Sequence, residues 1–165
     1  MARRPEDTAD AIDDVDAVTD AVLTASRLLV AVSARSIASV DDTITIPQFR
    51  LLVLLANEGP LKLTAIAEHL GVNPSTATRM VDRLVSAGLI ERETNPASRR
   101  EVVVRLSRKG RTLVGSVTKR RRGEIAEIVG RMSATSRRGL VRAMSAFAAA
   151  GGEPRASDRA ESIWL

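Results

Sequence analysis

A chain of 165 residues, 44% hydrophobic and 27% charged with a formal net charge of +5, can bury a real core in one domain or in one small domain with helical extensions. Only 2% of its residues are aromatic, so the core must be aliphatic; the absence of cysteine excludes disulfides, zinc ribbons and thiol redox sensing, and a single histidine leaves neither metal site nor cofactor expected. The N-terminus lacks the apolar centre of a secretory signal and no run of about 18 apolar residues occurs, so no membrane span is expected and the protein is placed in the cytoplasm.

Charge is segregated along the chain. Residues 1–20 hold two Arg against seven acids, whereas residues 107–138 hold ten Lys or Arg against two Glu. Such a basic segment suits a polyanionic partner, and equally a solvated helix face.

Residues 1–11 read as a mobile acidic leader. From Asp13 to Ser39 there is neither Gly nor Pro, and Val15, Val18, Val22, Ala25, Leu29 and Val32 recur at steps of three and four, the seam of a long helix packing on another helix. At 1.5 Å per residue it would be roughly 40 Å long and would overhang so small a domain, which favours a second subunit over a helix lying on its own core. Ser39–Thr43 breaks the pattern. Thr45 and Gln48 then stand at capping-box spacing with Pro47 in the first turn, Phe49, Leu52, Val53 and Leu55 form a buried side, and Gly59-Pro60 stops the helix.

The stretch from Leu61 to Leu106 carries the chemistry. Leu63, Ile66, Ala67 and Leu70 make a two-turn apolar stripe, and Gly71 supplies the left-handed turn. Asn73 caps and Pro74 starts the next helix, whose Ala77, Val81 and Leu84 point inward. Ser75, Thr76, Arg79, Asp82 and Arg83 are left outward, with Thr78 at the flank. Short hydroxyls at a helix start reach phosphates or base edges, and Arg79 can bond guanine O6 and N7 in parallel. His69 is expected to be merely exposed. After Gly88, Leu89–Glu93 and Val102–Leu106 read as strands joined by a turn at Asn95–Ser98, which lifts Arg99 and Arg100 to or near a hairpin tip. Two arginines there suit the negative potential of a narrow minor groove.

Ser107 caps a further helix with Leu113, Val114, Val117, Ile125, Ile128 and Val129 as apolar positions; its Lys119–Arg122 run suits either the phosphate backbone or solvent, or pairing with the acidic leader across a dimer. Ser133 caps a last helix with a Leu140, Val141, Met144, Phe147 stripe, ended by Gly151-Gly152. The tail closes on Ile163-Trp164-Leu165, an ending suited to docking on the body or on a partner subunit.

The segments PQFRLLVLLANEGPLKLTAIAEHLGV, STATRMVDRLVSAGLIER and NPASRREVVVRLSRKG, spread over Pro47 to Gly110, resemble the MarR family of bacterial transcriptional regulators. The resemblance implies a homodimer in which the N- and C-terminal helices of both chains, here 12–42 and 107–150, form a dimerisation region. Beneath it would lie two winged helix-turn-helix lobes, here 43–106, with 151–165 as a tail. The implied fold is mainly α with a small two- or three-stranded β wing. By this similarity Pro74 to Ala87 is the recognition helix, Thr76 and Arg79 make base or phosphate contacts, Arg99 reaches the minor groove, and Asp82 pairs with Arg100 to anchor the wing; with Asn73, Ser75, Thr78 and Arg100 these complete the expected DNA-contacting set. Ser98 stands where the family's wing usually has an aspartate. Small anionic or aromatic ligands bind many members between the two regions; Arg27 or Arg35 could face such a ligand, although a surface role suits them better.

The expected function is a dimeric, sequence-specific regulator of double-stranded DNA at a pseudo-palindromic operator, a repressor released by a small ligand; the alternative is an architectural DNA binder of low specificity. An enzyme is disfavoured because no Cys, no Tyr and one His leave only carboxylates and hydroxyls, without an acid pair or a Gly-rich phosphate loop.

Overall fold

The computed structural model describes residues 15–95 and 98–152, and of residues 95 and 98–101 the backbone alone. The acidic leader, the centre of the expected turn at Asn95–Ser98 and the Ile163-Trp164-Leu165 ending lie outside the described residues. In chain order the elements are α1 (Val15–Ala38), α2 (Ile46–Glu58), β1 (Leu61–Lys62), α3 (Leu63–Leu70), α4 (Pro74–Ser86), β2 (Ile90–Asn95), β3 (Ser98–Leu106), α5 (Arg108–Gly130) and α6 (Ala134–Ala150). The strands form one antiparallel sheet in the order β1-β3-β2, so the chain is mainly helical with a three-stranded wing.

Local chemistry sets the boundaries. Thr45 and Gln48 close a full capping box on α2, with the Gln48 side chain returning to the Thr45 N–H at 2.8 Å. Gly59 ends α2 at φ 76° and Gly71 ends α3 in the left-handed region at φ 65°, where a β-carbon would be strained. Asn73 caps α4, its Oδ1 accepting from Thr76 N at 2.8 Å. Ser107 caps α5 by accepting from Gly110 N at 3.0 Å while donating to Gly88 O at 2.8 Å. The same hydroxyl thus starts one helix and ties it to the turn after another.

One core unites the lobe. Leu51, Leu52 and Leu55 of α2, Ile66 and Ala67 of α3, and Ala77, Val81 and Leu84 of α4 meet Leu89, just before β2, and Ile90, Val104 and Leu106 of the sheet. Leu51, fully buried, falls outside the stripe expected for α2, because that helix touches α1, α3, β3 and α5 and so buries a broader face. Leu113, Val114 and Val117 place the first turns of α5 in this same core. That approach is close. A β-carbon built on Gly110 would lie 2.1 Å from Leu89 O and 2.7 Å from a Leu106 methyl, so this helix position admits only glycine without displacement.

The terminal helices differ. Of the α1 seam only Val32 is buried, joined by Ser36 and Ile37 near the C-terminal end. There Arg35 Nη2 lies 3.2 Å from Glu124 of α5, and Ser36 Oγ donates to the same carboxylate at 3.2 Å. The remaining seam overhangs: Val15, Val18 and Leu29 are exposed, as are Leu23, Leu28 and Val30. α6 buries none of its residues, and Val141, Met144 and Phe147 face solvent.

By length and composition α1 is apolar enough to cross a membrane, although charges such as Asp20, Arg27 and Arg35 interrupt any continuous apolar run. Its final turns are nevertheless built into the protein core through Val32, Ser36 and Ile37.

Candidate nucleic-acid interface

The helix-turn-helix is specified by its caps. Gly71 turns α3 away and Asn73 with Pro74 begins α4, whose Ala77, Val81 and Leu84 anchor one face in the core. The opposite face is polar by elimination. Ser75, Arg79, Asp82 and Arg83 are exposed, while Thr76 and Thr78 are half-buried at its flanks.

Two of the three hydroxyl protons on this face are already placed. Ser75 Oγ donates to Asn73 Oδ1 at 2.8 Å and Thr78 Oγ1 donates to Pro74 O at 2.8 Å. Both oxygens keep lone pairs for a donor, so in this state they suit the amino groups of adenine or cytosine better than a phosphate, which only accepts. Thr76 Oγ1 accepts from Arg79 Nη2 at 3.3 Å. Arg79 thereby starts from a defined position one turn above the helix start, and its remaining N–H groups are free of any other described contact.

The wing packs beside this helix. β2 and β3 pair from Ile90↔Leu106 outward through Arg92↔Val104 and Thr94↔Val102 to Asn95↔Ser98, with an irregularity between Thr94 and Asn95. Arg99 and Arg100 fall at the second and third residues of β3, close to the hairpin's far end. Their side chains lie outside the described residues, as does the expected Asp82–Arg100 pair. What the structure shows is a different engagement of the acid: Arg92 Nη2 lies 2.5 Å from Asp82 Oδ1. Both groups are about half exposed, so this bridge orients the hairpin more than it stabilises the fold. The period-two alternation of β2 was the available signal, since it puts Arg92 on the face of the buried Ile90, towards α4.

On the opposite face of the hairpin Arg105 bridges Glu91 and Glu93, which ties up its charge and leaves the cluster one negative charge in excess. Lys109 Nζ donates to Ala87 O at 2.9 Å, and Arg111 donates to Leu106 O at 2.9 Å. These two cations of the basic segment are therefore partly structural, closing the end of α4 and of β3. Lys119, Arg120 and Arg122 are exposed on α5, well along the helix from the wing, and His69 is exposed on α3. Arg35 is held by Glu124 and Arg27 by Thr24 Oγ1 at 3.2 Å, which agrees with a surface role for each.

The geometry has counterparts among known proteins. The chain is similar to the solved structure of RV1404 from Mycobacterium tuberculosis, with 59% identity and a TM-score of 0.80 over 87% of this chain and 98% of that one. It shares its fold with a mutant MarR from E. coli complexed with operator DNA, at 22% identity and a TM-score of 0.61 over 79% of this chain and 92% of the other. An HTH-type transcriptional regulator of Bacillus subtilis, YfiV, is 41% identical over 63 residues, or 38% of this chain and 39% of that protein. The chain thus spans about two fifths of that curated relative. Residues 44–102 match the family model of the MarR family, which takes in the whole helix-turn-helix and most of the wing, and the chain belongs to the MarR family.

Proposed function

We propose that this protein is a homodimeric, sequence-specific double-stranded DNA-binding regulator that represses transcription by occupying a pseudo-palindromic operator. The outward face of α4 carries this reading: a helix anchored by three buried residues presents hydroxyls and Arg79 at its start, with a wing tethered beside it through Arg92–Asp82. Asn73, Ser75, Thr76, Thr78 and Arg79 are the proposed groove contacts, with Arg99 and Arg100 at the minor groove. The E. coli protein that shares the fold is complexed with operator DNA, which supports operator binding for this chain.

Dimerisation is supported by the unpartnered apolar faces of α1 and α6. The α1 stripe is continuous, yet one end packs on its own chain and the other overhangs, as expected where a second copy covers the remainder. Residues 12–42 and 107–150 are thus proposed to set the separation of two lobes, placing the recognition helices one turn, roughly 34 Å, apart. Release by a small anionic or aromatic ligand rests on family analogy and on an open groove of about 1020 Å³ where α1 meets α5, lined by Arg35, Val40, Lys119 and Arg120 but also by Glu124 and Glu127. A ligand there would act by favouring a dimer whose lobes are wrongly spaced. The site of action is the cytoplasm, where the genome of a bacterial regulator lies.

Selection of bound fragments from sheared genomic DNA tests this directly. An enriched motif with two-fold symmetry and half-sites one turn apart is expected; equal affinity for enriched and random duplexes at matched salt would favour the architectural alternative. Within such a site Arg79→Ala is expected to cost about 1–3 kcal/mol and relax specificity at one position, against a more uniform loss for Arg99→Ala.

A further inference from the structure

The inner face of the hairpin continues beyond the core. Alternation puts Ile90, Arg92 and Thr94 on one side of β2, and the register sets Leu106, Val104 and Val102 opposite them on β3. Two contacts fix which side this is. Ile90 and Leu106 are buried in the core, and Arg92 reaches Asp82 on α4. The Thr94–Val102 pair therefore stands on the α4 side, roughly 7 Å further out than Arg92–Val104 at about 3.3 Å per residue.

Out there, Val102 is 55% exposed whereas Val104 is 2% exposed, and Thr94 is exposed beside it. The Arg92–Asp82 bridge joins this side of the hairpin to α4, so the pair stands beyond that bridge on the same side as the helix that carries Arg79. A hydroxyl donor next to a β-branched apolar side chain matches the alternation of a nucleic-acid strand: a phosphate that accepts and a deoxyribose with an apolar C–H face. The ion pair at the base is neutral in sum and does not repel such a strand.

We propose that Thr94 and Val102 form a ledge for one sugar–phosphate strand between recognition helix and wing, the Thr94 hydroxyl donating to a phosphate oxygen and Val102 packing on the adjoining deoxyribose. This rests on the DNA-binding reading and adds to it two contacts that position the duplex without reading bases.

Ethylation interference on a duplex enriched by the wild-type chain from genomic fragments tests the ledge, using Thr94→Val, Thr94→Ser and Val102→Asp in the full chain. Thr94→Val should weaken binding about three- to tenfold, in keeping with loss of one hydrogen bond, and should erase interference at one phosphate per half-site while leaving the others. Thr94→Ser should restore both. Val102→Asp, which sets a carboxylate against the strand, should cost at least about tenfold; if it also lowers the melting temperature, Val102→Ser replaces it, with a smaller loss expected. Wild-type affinity with every interference position retained in these variants would overturn the ledge and leave DNA binding standing. A wild-type chain that enriches no fragment would remove both.

Discussion

The lobe and the terminal helices are built from similar aliphatic residues but complete their cores differently. In the lobe, α2, α3, α4, the sheet and the first turns of α5 bury Leu51, Leu52, Ile66, Leu84 and Leu89 within a single chain. In α1 and α6 the residues of the same chemistry, Val15, Val18, Leu29, Val141 and Phe147, stay in water. An element whose apolar stripe is covered by its own chain has its position fixed by its own sequence. One whose stripe is uncovered can be positioned by a second molecule, and that is where a regulator can afford variable geometry.

The largest effect that separates the two regions is expected at Leu84, which is 1% exposed in the lobe core. Leu84→Ala should cost about 2–5 kcal/mol, the removed atoms plus the cavity they leave, read as a lower denaturant midpoint. A cost below about 1 kcal/mol would show that the lobe core is loosely packed and that the contrast with the terminal helices is overstated. Phe147→Asp tests the other region. Burying such a side chain contributes roughly 1.5–3 kcal/mol, so the dimer dissociation constant by sedimentation equilibrium should rise at least about tenfold. An unchanged constant would mean that the α6 stripe is covered by something other than a second copy.

Gly110 sharpens the contrast at the boundary, because α5 belongs to the lobe core at its start and is only partly covered later, at Ile125, Ile128 and Val129. Helix propensity alone makes Ala better than Gly by roughly 1 kcal/mol in a helix interior. Here the added carbon would sit 2.1 Å from Leu89 O, so Gly110→Ala should instead destabilise by about 1–3 kcal/mol through overpacking. The same change at Gly115 or Gly123, where nothing lies within 4 Å of a built β-carbon, should be neutral or stabilising. Thermal melts of the three variants at one protein concentration make the comparison.

How far the sequence could be read follows the same division. The lobe was legible because its signals are local: Thr45 with Gln48, Gly71, Asn73 with Pro74, and Ser107 each fix an end through bonds spanning three or four residues. The inward set Ala77, Val81 and Leu84 followed from period alone, and the outward set of α4 from what remained. Non-local features were not legible. That Leu51 is fully buried depends on four elements meeting α2, and that Leu61–Lys62 joins the sheet depends on pairing with Val103 and Val104, more than 40 positions away in sequence. Arg92 was missed as the partner of Asp82 because an arginine in a strand is unremarkable until the strand is placed against a helix. The long seam of α1 was read correctly as a helix, but period cannot say which half of a stripe its own chain covers.

The smallest effect concerns the turn that joins the two regions. Between α1 and α2 the Asp41 carboxylate accepts from the Thr43 hydroxyl at 2.6 Å and from the Thr43 N–H at 3.0 Å. These bonds, the hydroxyl first, hold its pKa below the ordinary 3.8; slight burial opposes them, and Lys109 adds a weaker pull in the same direction. A carboxyl whose pKa is lower in the folded state contributes stability that is fully present above its unfolded value and is lost as pH falls through the folded one. Asp41→Asn keeps an oxygen for the Thr43 bonds and removes only the charge. The variant should therefore be slightly less stable than wild type at neutral pH, and the gap should close as pH drops below about 4. Denaturant midpoints at pH 7, 5 and 3 measure this. If the gap stays constant across that range, the charge of Asp41 contributes nothing and the turn is held by its hydrogen bonds alone; if it closes, the link between a self-contained lobe and its largely exposed terminal helix is weakly sensitive to acid.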